Sequence, residues 1–414
     1  MKNLLKGNAV VGQSGGPTAA INATLSGVIR GAFEAEAIDV IYGMRNGIEG
    51  LLESRLVSLN ELAANEDDLK ILEQTPAAAL GSCRKKLPDP YSNEEKDIAV
   101  FEKIFEIFKK FDIRYFFYIG GNDSMDTVDK LSKYSEKNGY EIRLVGVPKT
   151  VDNDLVGTDH TPGFGSAAKY IATTVREIVR DCSVYTKKSV TIVEIMGRDA
   201  GWLTASAAIG RIVDGCAPDL VYLPERAFDE EAFFANLESA FEKHPGVVVA
   251  VSEGLRFADG RYVGEGSQSG SVDVFGHKYL SGTGKVLENM VRERLGCKVR
   301  SVELNLPQRC AGHLTSLTDI TESVRIGKAA VFTAVDGKSH VMMTFVRNEN
   351  AEYFCDIEPK NVSEIANKTK FVPDGYMTAA GDNVTDECCE YLMPLIFGEC
   401  DLEFTNGLPK HIVI

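Results

Sequence analysis

Residues Arg143-Leu144-Val145-Gly146-Val147-Pro148-Lys149-Thr150-Val151-Asp152-Asn153-Asp154 pass from an apolar, strand-like run into a cation, a hydroxyl and two carboxylates. Open α/β sheets gather their chemistry outside the carboxyl ends of parallel strands, so a site is expected where Val147 gives way to Lys149 and Asp152. Upstream, Tyr115-Phe116-Phe117-Tyr118-Ile119 has the pattern of a buried strand and ends in Gly120-Gly121-Asn122-Asp123-Ser124. Two exits of this kind can face one ligand. Downstream, Gly157, Gly163 and Gly165 lead into a helix-compatible stretch from Ser166.

Working outward, strand-like runs at 8–12, 39–43, 115–121, 143–147, 189–197, 219–224, 246–252 and 298–304 alternate with amphipathic ones. That alternation predicts parallel sheets with crossover helices. A helix is expected from Pro17, with Ile21, Leu25, Val28 and Ile29 at helical spacing and proline in the first turn. The 414 residues exceed one typical hydrophobic core, which predicts two doubly wound, Rossmann-like α/β domains with a cleft between them. Beyond residue 330, a hairpin at 341–345 and 353–357 and a helix around 387–397 are expected. Between residues 253 and 284, eight glycines mixed with serine and charge read as a long exposed loop or lid.

Hydrophobic content of 44% and charged content of 25% are those of a soluble globular protein. No apolar run reaches the roughly 20 residues of a membrane span, and residues 13–15 turn polar before a signal-peptide core could form, so a cytoplasmic chain is expected. The net charge of −15 argues against nucleic acid as partner. Anionic substrates would then need local basic groups, such as Arg84-Lys85-Lys86, Lys187-Lys188, Arg198, Arg300 and Arg309. Nine cysteines without metal-type spacing read as reduced thiols.

Gln13-Ser14-Gly15-Gly16-Pro17 lies between the first strand and the first helix, where glycines let a backbone approach a phosphate and a helix N-terminus offers N–H groups. Asp-Asn-Asp by itself is equally a turn sequence. Taken together, however, the segments GGNDS at 120–124, PKTVDND at 148–154 and IMGRDAG at 195–201 resemble the 6-phosphofructokinase family, and specifically its pyrophosphate-dependent branch, from about residue 8 to about residue 330.

The resemblance implies reversible phosphoryl transfer from pyrophosphate to the 1-hydroxyl of fructose 6-phosphate, with Mg²⁺ as cofactor, giving fructose 1,6-bisphosphate and phosphate. It implies catalysis by Asp152 as base with Lys149 and Arg198, and donor binding by Gly15, Gly16, Arg84, Asp123, Ser124 and Lys149. Sugar-phosphate contacts fall on Thr150, Val151, Asp152, Asp154, Met196, Gly197, Arg198, Glu253, Arg300, Leu306 and Arg309. A homo-oligomer, dimer or tetramer, is implied as well, with Lys188 near a cation that some members lend across the interface. Residues 1–163, completed by 309–365, would carry the donor site, and residues 164–308, completed by 366–414, the sugar-phosphate site.

Four departures matter. ATP-dependent members usually read GGDGS, so Asn122 replaces a metal-binding aspartate; an amide oxygen can still coordinate Mg²⁺. Asp123 replaces a glycine beside which the nucleotide's phosphates pass. A carboxylate roughly 4 Å from the α-phosphate costs on the order of 4 kcal/mol at an effective dielectric of 20, about a thousandfold in affinity. Lys149 replaces another glycine and can neutralise the transferring group. Leu306 stands where many members place histidine or tyrosine, which leaves the sugar clamp open. The alternatives are an ATP-dependent enzyme of the family, a kinase of the wider GGDG-type group, or a non-catalytic regulatory subunit of this fold.

Overall fold

The computed structural model describes residues 4–267, 282–348 and 352–414. The chain starts a sheet with β1 (Gly7–Gln13), β2 (Ile38–Met44), β3 (Leu56–Ser58), β4 (Ile113–Gly120) and β5 (Arg143–Pro148). It then builds a second sheet from β6 (Ser189–Ile195), β7 (Leu220–Tyr222), β8 (Gly246–Ser252) and β9 (Lys298–Glu303) before returning to the first with β10 (Val341–Arg347) and β11 (Cys355–Asn361). The orders are β11-β10-β5-β4-β1-β2-β3 and β7-β8-β6-β9. The second sheet is wholly parallel, whereas β3 and β11 are antiparallel edges of the first.

The aromatic run of β4 follows from burial on both faces, the condition that makes parallel strands read as continuous apolar runs. Tyr115, Phe117 and Ile119 pack with Val11, Val145 and the helix Ile21–Glu34, while Phe116 and Tyr118 pack with Phe105, Phe108 and Val128 on the other side. The second sheet is covered likewise: Val193, Ile195 and Val248 face Phe164, Ile171 and Leu203, and Ile192, Val247 and Val249 face Phe233, Leu237 and Val291. The two sheets are therefore doubly wound α/β units, as expected.

Register brings the strand ends level. Gln13 pairs with Ile119 and Gly120 with Pro148, so residues 14–17, 121–124 and 149–154 leave the first sheet side by side. In the second, Ile195 pairs with Ser252 and Glu194 with Glu303, which aligns the exits at 196–198, 253 and 304–309. In the first sheet, β2 and β4 flank β1, so the strand order reverses beside the exit of β1, where open sheets place a ligand.

The first helix departs from expectation. It begins at Ile21, not Pro17. Thr18 Oγ1 accepts the Ala20 amide at 3.2 Å, and the helical ladder opens with Ala23 and Thr24 bonding to the Ala20 carbonyl. Residues 17–20 are thus a turn before the helix.

The helix Leu317–Val335 crosses Ile21–Glu34 at backbone distance, because both lack a side chain at the crossing. A Cβ on Gly27 would stand 2.1 Å from the Val324 carbonyl oxygen, and one on Gly327 would stand 2.3 Å from that of Thr24. The hairpin expected beyond residue 330 is β10 against β11. Farther on, Val372, Cys388, Leu392 and Leu395 pack on Phe164, Ile171 and Trp202, so the C-terminal portion covers the helix Phe164–Cys182. Of the glycine-rich stretch, residues 268–281 lie outside the described residues. Its start is a close approach, since a Cβ on Gly254 would stand 1.8 Å from the Arg198 carbonyl oxygen. All nine cysteines are free.

Candidate active site

The six strand exits enclose a cleft of about 810 Å³. Its floor is the exit of β5. Thr150 Oγ1 accepts the Asp152 amide at 3.1 Å, and Asn153 adopts the left-handed conformation at φ 52°, which turns the chain so that Asp152 and Asp154 both line the cleft. Asparagine is among the few non-glycine residues that enter this region readily. Burial, reinforced by the like charge of Asp154, pushes the Asp152 carboxyl up to about 7, against the pull of Lys149 and Arg198. Asp154 is raised in the same sense, burial again leading.

Lys149 is buried, and its ammonium donates to the Gly16 carbonyl at 2.6 Å. A Cβ on Gly15 would meet this ammonium at 3.4 Å, and one on Gly16 would meet the Arg309 guanidinium at 3.3 Å. The glycine pair therefore makes room for two cations as well as supplying a positive φ of 78° at Gly15. The Gly15 amide bonds to the Cys83 carbonyl at 3.1 Å and so does not point to a ligand. With the helix starting at Ile21, the expected cradle of helix-terminal N–H groups is replaced by these side-chain cations. Burial lowers the Lys149 ammonium to about 8, although Asp152 and Asp154 support its charge.

At the exit of β4, Asn122 and Asp123 open the helix Asn122–Asn138. Asn122 Nδ2 donates to the Lys368 carbonyl at 2.9 Å, while its Oδ1 is buried and accepts no hydrogen bond among the described residues. Lys86 pairs with Asp123 at 3.0 Å. Ser124 is buried, its hydroxyl 2.8 Å from that of Ser14, so it ties two exits together. Arg84 is exposed along the same wall.

The opposite wall comes from the second sheet. Gly197, at φ 124°, donates its amide to Glu253 at 3.3 Å, and Met196 donates to Gln308 at 3.2 Å. Buried Gln308 also donates to the Asn305 carbonyl at 2.8 Å, which fixes the turn that presents Leu306 and Arg309. Burial and Asp152 push Glu253 up to about 8. Arg198 lines the cleft with a buried Nε that has no partner among the described residues. Thr150, Val151 and Met196 complete the lining on these two sides.

Two predicted side chains stand apart. Arg300 lies exposed on the edge strand β9, outside the cleft lining. Lys188, over the Phe241 ring at 4.9 Å, is likewise outside it. Conversely, sequence reasoning missed Asn305, Gln308, Asn367 and Thr369 in the lining and Lys370 behind it. Gln308 directly precedes the predicted Arg309 and carried that much signal. Residues 367–370 carried none.

Known proteins resemble the chain over nearly its whole length. A sequence model described as phosphofructokinase matches residues 8–334. The chain is 41% identical, over 97% of its length and 95% of the relative's, to a pyrophosphate–fructose 6-phosphate 1-phosphotransferase of Halomonas elongata. It is likewise 41% identical, over 99% and 96%, to the enzyme of that name from Xanthomonas campestris pv. campestris. The solved pyrophosphate-dependent phosphofructokinase of Nitrosospira multiformis superposes with a TM-score of 0.87 at 38% identity, covering 98% of this chain and 95% of that one. With one family's pattern running through both sheets and every exit of the cleft, the chain belongs to the phosphofructokinase family.

Proposed function

We propose that this chain transfers a phosphoryl group reversibly from pyrophosphate to the 1-hydroxyl of fructose 6-phosphate, with Mg²⁺. The observation that carries the reading is the pair of charges flanking the donor side. Lys149 is enclosed against the glycine pair, and Asp123 stands at the head of the helix Asn122–Asn138, held by Lys86. A carboxylate there occupies the path of a nucleotide's phosphate chain and leaves a two-phosphate donor unobstructed.

In this mechanism Asp152 takes the proton of the 1-hydroxyl as its oxygen attacks the nearer phosphorus of pyrophosphate and the bond to the departing phosphate breaks. A carboxyl raised to about 7 is suited to a base at neutral pH. Lys149 and Arg198 face the charge that spreads over the transferring group, where preorganised cations act most strongly. Arg84 holds the donor, and Glu253 and Arg309 hold the sugar and its 6-phosphate. An amide oxygen that is buried without a partner fits a hard cation that takes few protein ligands, so Asn122 Oδ1 would hold Mg²⁺. The ion, when bound, neutralises donor oxygens.

Arg300, turned to solvent on an edge strand, serves a sugar site across a subunit interface, which makes a homo-oligomer part of the reading. The cytoplasm is its setting; no helix among the described residues is long and apolar enough to cross a membrane. The test is the initial rate of fructose 1,6-bisphosphate formation with pyrophosphate and ATP in parallel. Activity with ATP alone keeps the family and overturns the donor; activity with neither favours a regulatory subunit.

A further inference from the structure

The floor of the cleft is held from behind by a segment far away in sequence and beyond the residues matched by the family pattern. Lys370 donates its backbone amide to the Asp154 carbonyl at 2.7 Å, and Thr369 forms a bridge with Leu155. Its buried ammonium donates to Asn153 Oδ1 at 3.0 Å, to the Asp159 carbonyl at 2.7 Å and to the Thr158 carbonyl at 3.3 Å. The Lys370 carbonyl in turn accepts Trp202 Nε1 at 3.1 Å, from the second sheet's side of the cleft. Two residues earlier, the Lys368 carbonyl accepts the Asn122 amide. One strap thus touches the donor exit, the acceptor exit and the opposite half of the molecule.

Asn153 is the hinge of this arrangement. It is fully buried in the left-handed region, and Lys370 donates to its side-chain oxygen. A neighbouring backbone torsion that relaxes here swings Asp152 directly, since the two residues share a peptide bond. Burial lowers the Lys370 ammonium to about 7 even though the Asp159 and Asp154 carboxylates support its charge, so the group is expensive to keep. A methionine would fill the same space without that expense. What the ammonium adds is one directed bond to Asn153 and two to the backbone at 158–159, which tie the turn to the segment that follows it.

We propose that Lys370 is a positioning residue for the reaction: it locks Asn153, and through it the Asp152 carboxylate, in the productive orientation. This rests on the reading of Asp152 as the base. Lys370 does not line the cleft, so its influence falls on the orientation of Asp152 and not on substrate contact.

The test uses full-length Lys370→Met and Asn153→Gly, singly and together; glycine keeps the positive φ available while deleting the side chain. Misplacing a reacting group by about 1 Å costs up to roughly a hundredfold, so Lys370→Met is expected to lower kcat about thirtyfold or more. KM for either substrate should stay within about threefold, and the unfolding midpoint within a few degrees. Because both residues act through one contact, the double variant should be no slower than the slower single one by more than about threefold. Unchanged kcat, a loss confined to KM, or effects that multiply in the double variant would each overturn the proposal. A crystal structure of Lys370→Met supplies a readout that needs no turnover: a displaced 152–154 turn supports the proposal, and an unmoved one sinks it. An inactive wild-type chain would instead count against the functional reading, leaving the structural arm to judge Lys370.

Discussion

Lys86 reaches across the donor end of the cleft to Asp123, with 3.0 Å between its ammonium and a carboxylate oxygen. Both side chains are substantially exposed, so the pair itself adds little to stability. In the proposed function its importance lies in donor choice. At 4 Å the repulsion of a phosphate by Asp123 spans about 1 to 4 kcal/mol between water-like and protein-surface dielectrics, and Lys86 moves it toward the lower end.

Asp123→Gly should raise the ratio of kcat/KM for ATP to that for pyrophosphate at least about tenfold, a change of roughly 1.4 kcal/mol. Lys86→Ala should move the ratio the other way, because it leaves the carboxylate uncompensated. Initial rates with both donors decide this. An Asp123→Gly protein with no gain toward ATP would remove the donor argument.

The pH profile follows from the floor of the cleft. Asp152 must be ionised to accept a proton, so kcat/KM should rise as pH passes through about 7. Lys149 must be charged to face the transferring group, so activity should fall as pH passes through about 8. The expected profile is a narrow bell. Asp152→Ala should reduce kcat by about 10² to 10⁴, the usual contribution of a general base, with KM for fructose 6-phosphate far less affected. Near-normal turnover in that variant refutes the assignment. Lys149→Met should be severely slowed with pyrophosphate and should lose the alkaline limb.

The buried, unpartnered oxygen of Asn122 makes a metal prediction. Asn122→Ala should raise the Mg²⁺ concentration for half-maximal rate by about tenfold or more, whereas Asn122→Asp should lower it, since a carboxylate is the stronger ligand for a hard cation. Excess chelator should abolish turnover in the parent protein. If the alanine variant saturates at the parent's Mg²⁺ concentration, the ion is held elsewhere.

Gly27→Ala addresses the fold alone. Its methyl would stand 2.1 Å from the Val324 carbonyl oxygen, which is backbone and cannot rotate away. Overpacking costs typically 1–3 kcal/mol, so a loss of about 2 kcal/mol or more is expected in denaturant unfolding. An alanine variant as stable as the parent would show that the two helices can separate freely.

Much of this site was legible because its parts are local. An apolar run, a glycine and a polar exit occur within a dozen residues at five of the six exits, whereas β9, Lys-Val-Arg-Ser-Val-Glu, is neither apolar nor followed by a nearby glycine. The helix start was misread because proline suits a first helical turn in general, whereas here Thr18 captures the Ala20 amide and delays the helix to Ile21. The strap at 367–370 was illegible for a different reason. Asn-Lys-Thr-Lys has no periodicity and no recognisable motif, and its role exists only through bonds to residues more than two hundred positions earlier. Lys86 was visible as part of a basic run, but its pairing with Asp123 depends on the register that sets β1, β4 and β5 level.

The crossing of Gly27 and Gly327 bears on the order in which this protein can be made. Leu25, Val28 and Ile29 are synthesised early, yet the surface that covers them includes Ile326, Ala330 and Val331, and the first sheet gains its last strand only at residue 361. A nascent chain leaving the ribosome must therefore hold an uncovered apolar face through the whole synthesis of the second sheet. Contacts of such sequence separation form slowly and leave intermediates prone to aggregate. The strands of the second sheet, β6 to β9, are contiguous and can pair first, yet the helix Phe164–Cys182 on one of its faces also waits for residues 372–395, so both halves of the molecule are finished by the last part of the chain.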